Sequence, residues 1–187
     1  MDQKDHELPV ETLYEGRWLR VKRRGRWEFV ERTNAGGMAV IIIAATPERK
    51  VLFVEQHRIP VEGPTIEMPA GLVGDQDGGE TLESAASREL IEETGWQASR
   101  IEVLLVGPTS SGLSNERVAF VRATGLEKVG EGGGDDSEHI RVHEVPVDEA
   151  PAWLARKVTE GFQLDAKLWA GLWLLDRNLD GSPAASA

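Results

Sequence analysis

Cysteine is absent from all 187 residues, so disulfides and thiolate metal sites are unavailable to this chain. Tyrosine is nearly as scarce, with Tyr14 alone, and phenylalanine occurs four times. No run approaches the roughly 20 consecutive apolar residues that a membrane helix needs. The longest candidate, residues 38–45, has the length of a strand. Positive charge is also in short supply: 21 Lys and Arg against 32 Asp and Glu give a net charge of −11. A protein that binds nucleic acid polymers generally carries the opposite balance. The expectation is therefore a chain that binds neither membrane nor nucleic acid polymer. Phosphates could still be held through local devices, such as metal ions or a few placed arginines. The polar, acidic start MDQKDHELP does not have the form of a secretory signal. With the missing cysteines it leads to the expectation of a cytoplasmic protein.

What is present suits one compact domain with a small accessory element: 40% of residues are hydrophobic, enough for a core. Apolar and alternating runs predict strands at 10–14, 18–23, 27–32, 38–45, 51–56, 101–106, 118–123 and 140–147. The first three are short, close together and rich in Trp and Arg, and read as a small antiparallel sheet ahead of the main domain. Helices are predicted at 82–94, with Gly95 as C-cap, at 148–157, with Asp148 as N-cap, and at 164–178. Trp169 and Trp173, four apart on the last helix, read as core packing. The Gly-rich acidic stretch 130–138 and the end, GSPAASA, read as mobile. This division gives residues 1–35 as an N-terminal sheet, 36–180 as the main domain and 181–187 as a flexible tail. Strands and helices in mixed order indicate an α/β or α+β sandwich.

Chemistry concentrates in GLVGDQDGGETLESAASRELIEETGW, residues 71–96. Glu89 and Glu93 are one helical turn apart and Glu92 is three from Glu89, so the three carboxylates project from one side of the predicted helix. Like charges at that spacing cost a few tenths of a kcal/mol per pair in a free helix, on the order of 0.2–0.5. Such a face is either a solvated acidic surface or a site for a hard cation such as Mg²⁺, which selects clustered carboxylate oxygens. Helical periodicity alone leaves both readings open.

The wider pattern is more specific. Gly74, Glu80, Arg88, Glu89, Leu90, Glu92, Glu93, Gly95 and Trp96 match every fixed position of the box G-x5-E-x7-R-E-U-x-E-E-x-G-U, where U is a bulky apolar residue. In this the chain resembles the Nudix hydrolases, and KVLFVEQHR and EMPAG at 67–71 resemble the surrounding family fold. The resemblance implies a Nudix α/β/α sandwich with a mixed sheet, here preceded by the small N-terminal antiparallel sheet. It implies Glu89 and Glu93 as metal ligands, Glu92 as a third ligand or close behind, and the backbone carbonyl of Ala70 completing the site. Arg88 would orient the carboxylates and Glu80 would support the loop entering the helix. Mg²⁺ is the implied cofactor, with Mn²⁺ as a substitute. In many relatives the glycine of the PAG tripeptide is itself the first box glycine. Here Gly71 is nine residues before Glu80 and Gly74 has the box spacing, so the loop reads as lengthened by three residues.

Within the family, VEQHRIPVEGPTIEMPAG and WEFVERTNAGG resemble segments of ADP-ribose pyrophosphatases and related nucleoside-diphosphate-sugar hydrolases. That likeness implies Gln56 and Arg58 near the diphosphate, Arg32 near the substrate from the N-terminal sheet, and a homodimer formed through that sheet. The loop GPTSSGLSNE, 107–116, keeps Gly112 and Glu116, the latter a substrate-binding candidate, but has Ser111 where ADP-ribose pyrophosphatases carry proline. Glu138, following the Gly-rich run, falls where such enzymes place a glutamate that completes the site, and Glu116 and Glu144 are the alternatives for that role. His139 and His143 read as incidental. The expected reaction is metal-dependent cleavage of the pyrophosphate link of ADP-ribose or a related nucleoside diphosphate sugar. The alternatives are another diphosphate, such as GDP-mannose or a reduced dinucleotide, or a non-catalytic nucleotide-binding module of the same fold.

Overall fold

The computed structural model describes residues 4–33, 37–74, 79–134 and 139–184. Among the described residues, eleven strands and three α-helices appear in the order β1 (Glu11–Glu15), β2 (Leu19–Arg24), β3 (Trp27–Arg32), β4 (Met38–Ala44), β5 (Lys50–Arg58), β6 (Gly63–Glu67), β7 (Ala70–Leu72), α1 (Leu82–Thr94), β8 (Trp96–Pro108), β9 (Arg117–Lys128), β10 (Arg141–Pro146), α2 (Ala150–Thr159), β11 (Gln163–Leu164) and α3 (Lys167–Leu175). Strands β1–β3 form a separate antiparallel sheet at the N-terminus. The main domain holds two four-stranded sheets, ordered β7-β4-β9-β8 and β10-β5-β6-β11. Both are mixed, because β4 pairs with β9 in parallel and β11 with β6 in parallel.

Strand alternation explains the layering. Val40, Ile42 and Ala44 of β4, with Ala119, Val121 and Ala123 of β9, pack against Ala85, Ala86 and Leu90 of α1. Their neighbours Ile41, Ile43, Val118 and Phe120 face the opposite way, toward Leu154 of α2 and Leu168, Leu174 and Leu175 of α3. The result is the α/β/α sandwich expected from the sequence. No helix among the described residues is long and apolar enough to cross a membrane.

Several local expectations are corrected. Trp169 and Trp173 are not core residues: they are 49% and 43% exposed. Leu168, Gly171, Leu174 and Leu175 form the buried stripe of α3, which turns both tryptophans outward. Asp148 does not cap α2, because residues 147–149 form a 3-10 turn and the helix starts at Ala150. Residues 181–184 meet the end of α3, with Asn178 N–H on Ser182 O at 2.8 Å and Ala184 N–H on Asp176 O at 2.9 Å, and 185–187 of the expected flexible tail lie outside the described residues.

Arg122 on β9 is buried against α3. Its Nη2 donates to Leu174 O at 2.9 Å, a carbonyl that the helix end leaves unpaired, and to Arg177 O just beyond the helix at 2.6 Å. Arg122→Met keeps the length of the side chain and removes those donors. It should lower unfolding free energy by about 2–3 kcal/mol, the usual size of charged hydrogen bonds to buried groups, as measured by urea denaturation. An unchanged midpoint would show that the α3 carbonyls do not depend on Arg122.

Candidate active site

Helix α1 begins at a capping box: Thr81 Oγ1 accepts from Ser84 N–H at 3.2 Å and Ser84 Oγ accepts from Thr81 N–H at 2.9 Å. It ends at Gly95, whose left-handed φ of 72° suits a residue without Cβ and whose N–H returns to Ile91 O. Both boundaries are those expected from the sequence. The apolar side of the helix is buried on β4 and β9, which turns Arg88, Glu89, Glu92 and Glu93 toward the edge strand β7.

β7 is built to receive them. Val73 N–H donates to Met38 O and Ile42 N–H to Pro69 O, which sets the hydrogen-bonded pairs of the β4–β7 ladder. Antiparallel strands alternate, so Ala70 and Leu72 direct their N–H and C=O groups away from β4. The helix takes them up: Ala70 N–H donates to Glu93 Oε2 at 3.0 Å, and Leu72 O accepts from Arg88 Nη2 at 3.2 Å. The Ala70 carbonyl points the same way as its N–H, toward the acids of α1. Gly71 lies so close that a Cβ there would stand 1.9 Å from Glu89 Cδ. Its smallness is a condition for the position of Glu89.

Arg88 organises the acids. Nε donates to Glu80 Oε1 at 3.0 Å, and Nη1 donates to Glu89 Oε1 at 2.8 Å and to Glu92 Oε2 at 3.0 Å. Chiefly through the Glu80 hydrogen bond, its guanidinium pKa is raised above an already high ordinary value, against a smaller opposing effect of burial. Glu80 is correspondingly held below the usual carboxylate range by Arg88, assisted by the N–H of Gly74 at 2.9 Å. Gly74 and Glu80, two positions of the box, are thus in direct contact.

Among the described residues no three acidic or imidazole side chains converge as a metal-binding group. The reason is local: Glu89 and Glu92 both lean on Arg88, while Glu93, only 3% exposed, rests on the Ala70 N–H. The donor set nevertheless fits a hard divalent cation, since it consists of carboxylate oxygens and an outward-facing backbone carbonyl.

The β5–β6 hairpin adds a second group. Leu52 packs in the α1-side core, so Val54, Gln56 and Arg58 share that face of β5, as do their partners Glu67, Thr65 and Gly63 on β6. Arg58 grips Glu67 with both ends of its fork, Nε to Oε1 and Nη2 to Oε2, each at 2.8 Å, and Thr65 Oγ1 donates to Glu67 Oε1 at 2.6 Å. Burial pushes the Glu67 carboxyl upward, but the bonds from Arg58 and Thr65 outweigh it and hold the group below its ordinary range. Sequence reasoning named Arg58 and missed Glu67 and Thr65. The available signal was an acid between apolar residues at the end of a strand, which burial would force into a pair. Gln56 lines a cleft of about 450 Å³ with His57, Pro64, Gly133, His139 and Arg141. His139 lines this cleft, and His143 is a packed strand residue on Glu55 and the Trp153 ring.

The other expected site residues are distributed as follows. Arg32 and Glu116 pair with each other where the N-terminal sheet meets the 109–116 loop. Glu144 accepts from Trp96 Nε1 at 3.2 Å. Glu138 lies outside the described residues. Of the run 130–138 expected to be mobile, residues 130–134 are described: Gly133 and Gly134 donate to Glu93 O and Glu92 O, and Ile140 N–H donates to Gly133 O at 3.2 Å.

The profile of the NUDIX domain matches residues 36–166. The chain belongs to the Nudix family. Its N-terminal sheet lies before the matched Nudix segment, and every carboxylate discussed on α1 lies within it. A methanol dehydrogenase activator of Bacillus methanolicus is 38% identical over 64% of this chain and 63% of its own length. An ADP-ribose pyrophosphatase of Bacillus subtilis (strain 168) is 36% identical over 60% of each chain. The chain thus spans about three fifths of the length of these curated relatives. A solved ADP compounds hydrolase superposes with a TM-score of 0.63 at 20% identity, covering 82% of this chain and 93% of that one. At that identity the likeness concerns the Nudix fold alone.

Gly71→Ala tests the close fit beneath the Nudix acids. The added methyl must push the Glu89 carboxylate aside, and a side-chain end can move without unfolding the protein. Binding of Mn²⁺, followed by electron paramagnetic resonance, should weaken by about 10–100-fold with little change in the thermal midpoint. Wild-type Mn²⁺ affinity in the folded variant would show that Glu89 takes no part in holding the ion.

Proposed function

We propose that this protein is a Mg²⁺-dependent hydrolase, with Mn²⁺ as a substitute, that cleaves the pyrophosphate bond of ADP-ribose or a related nucleoside diphosphate sugar. The products are a nucleoside monophosphate and a sugar phosphate; from ADP-ribose they are AMP and ribose 5-phosphate. The observation that carries this reading is the complete set of box acids on α1, Glu89 and Glu92 held by Arg88 and Glu93 by the N–H of Ala70 on the outward-facing backbone of β7. The relatives named ADP-ribose pyrophosphatase, in Bacillus subtilis and elsewhere, support the substrate class.

Glu89, Glu93 and the Ala70 carbonyl are the groups that would hold the cation, with Glu92 beside them. When bound, a divalent ion there makes water more acidic and neutralises charge on the departing phosphate. The side chains do the rest. Arg58, oriented by Glu67, binds diphosphate oxygens, Gln56 lies beside it, and Arg32 with Glu116 approaches the substrate from the N-terminal sheet. Glu138 takes a proton from the attacking water as its oxygen bonds to phosphorus, while the bond from that phosphorus to the bridging oxygen breaks. The bridging oxygen leaves with the other phosphate. Arg88 touches no reacting atom and acts by positioning the carboxylates. Ser111 departs from the ADP-ribose pyrophosphatase pattern, and the second reading within the same chemistry takes another diphosphate, such as GDP-mannose or a reduced dinucleotide, as substrate. A non-catalytic nucleotide-binding module would have no use for the complete acid set.

A panel of ADP-ribose, GDP-mannose and NADH with Mg²⁺ tests the reading. Turnover should be highest with ADP-ribose and vanish in excess EDTA, and Glu93→Gln should lower kcat by at least ~10²-fold, as for loss of a metal ligand or its support. Full turnover in EDTA, or a Glu93→Gln enzyme at the wild-type rate, would overturn it. No hydrolysis of any member would leave the binding module in its place.

The N-terminal sheet, residues 1–35, is proposed as the dimerisation element. Three strands cannot bury much by themselves, and Tyr14, Trp18 and Trp27 are each more than half exposed. Residues 1–35 carry eight Lys and Arg against seven Asp and Glu in a chain of net charge −11, so this element lacks the acidic excess that the remainder of a second copy would present to it. Light scattering at micromolar concentration should give twice the 20.5 kDa chain mass, and removal of residues 1–34 should give monomer or aggregate. A monomeric full-length protein ends this part of the reading.

A further inference from the structure

The last four carbonyls of an α-helix have no donor within the helix. In α1 these belong to the turn that carries Glu92 and Glu93; Gly95 N–H takes that of Ile91, and the end of β9 with the chain leaving it supplies partners for those of Glu92, Glu93 and Thr94. Gly134 N–H donates to Glu92 O at 3.0 Å and Gly133 N–H to Glu93 O at 2.8 Å. Lys128 Nζ donates to Thr94 O at 2.9 Å, and the N–H groups of Val129 and Gly130 both reach Gly95 O, at 2.8 and 3.0 Å. The approach leaves no room for side chains. A Cβ on Gly132 would stand 2.4 Å from the Thr94 carbonyl carbon and 2.6 Å from Glu93 O, and one on Gly95 would stand 2.1 Å from Gly130 O. These obstacles are backbone atoms, which cannot swing aside. Gly132 also has a φ of 72°.

We propose that residues 128–134 form a clasp on the end of α1 that sets the positions of Glu92 and Glu93 for divalent-cation binding, with Gly132 as its positioning residue. The inference rests on the reading of Glu89, Glu92 and Glu93 as the metal-binding acids. Glu93 is pinned twice: its carboxylate holds the Ala70 N–H from β7, and its backbone oxygen holds the Gly133 N–H from the clasp. Glu92 is pinned by Arg88 at its carboxylate and by Gly134 at its backbone. A functional site needs its first groups held within about 0.5 Å, and the clasp supplies that constraint at the backbone while β7 and Arg88 supply it at the side chains. Lys128 adds a positive charge where the helix dipole is negative. The glycines serve close packing rather than freedom of movement.

The test is carried out on full-length protein. Mn²⁺ binding without substrate is titrated by electron paramagnetic resonance for wild type, Gly132→Ala, Lys128→Met and Gly181→Ala. Gly181 is the control, because its φ of 82° is equally left-handed but no atom lies within 4 Å of an added Cβ. Gly132→Ala should raise the Mn²⁺ dissociation constant about tenfold and lower kcat by about tenfold or more, with substrate KM within about twofold, as for a misplaced catalytic group that does not bind substrate. Gly181→Ala should bind Mn²⁺ as wild type does. A folded Gly132→Ala protein with wild-type Mn²⁺ affinity overturns the clasp. If that variant does not fold, Lys128→Met decides: at least a threefold weaker Mn²⁺ supports the clasp, and unchanged binding overturns it. Wild-type protein that neither binds Mn²⁺ nor hydrolyses a diphosphate removes the metal-site reading itself, an outcome distinct from failure of the clasp alone.

Discussion

Three carboxylates on one helical face repel one another, and in this protein a single guanidinium answers two of them while the Ala70 N–H holds the third. Arg88 reaches Glu80 before the helix, Glu89 and Glu92 on it, and the Leu72 carbonyl on the neighbouring strand. Loop, helix and sheet edge are thereby joined through one side chain. The arrangement also carries a pH signature. Glu80 is depressed chiefly by Arg88, so its contribution to stability is complete above the ordinary carboxylate pKa and is lost as pH falls through the lower, folded value.

The same contacts solve a problem of the sheet. β7 is an edge strand, and its outward N–H and C=O groups would otherwise invite another strand. Glu93 and Arg88 occupy the Ala70 N–H and the Leu72 carbonyl, so the groups that cover the edge are those of the site. The helix is restrained at three places: the Thr81 capping box at its start, β7 along its side, and the glycine clasp at its end. Each is worth little alone, but together they leave few directions in which the acids can move.

Positive charge in this acidic chain is placed rather than abundant. Arg58 is held by Glu67, Arg32 by Glu116 and Arg88 by Glu80, each pair partly sheltered from solvent. A carboxylate that orients an arginine lowers its net charge but fixes its direction, which suits recognition of a dianion through geometry. Glu67 shows the cost and its offset most clearly, because a buried acid is tolerated there only through the paired bonds from Arg58 and Thr65.

Much of the site was legible in the residues themselves. The helix Leu82–Thr94, its Gly95 cap and the side on which Glu89, Glu92 and Glu93 project all follow from local spacing, because a helix has one period and a glycine one common role at its end. The α/β/α layering follows from alternation in β4 and β9. Other features depend on contacts between distant segments, which local pattern does not encode. Trp169 and Trp173 have core spacing, but the wider leucine stripe of α3 took the buried side. Arg58 is expected near the diphosphate, but that Glu67 of β6 holds its guanidinium is not legible in local pattern. The run at 130–134 has the composition of a mobile loop, and only its approach to the end of α1 makes it a packed one, since glycine serves freedom and close contact equally well. Sequence alone thus determined which groups share a helix and which chemistry they suit. Tertiary structure decided which backbone and which counter-charge hold each of them, because those partners lie on strands and loops far away along the chain.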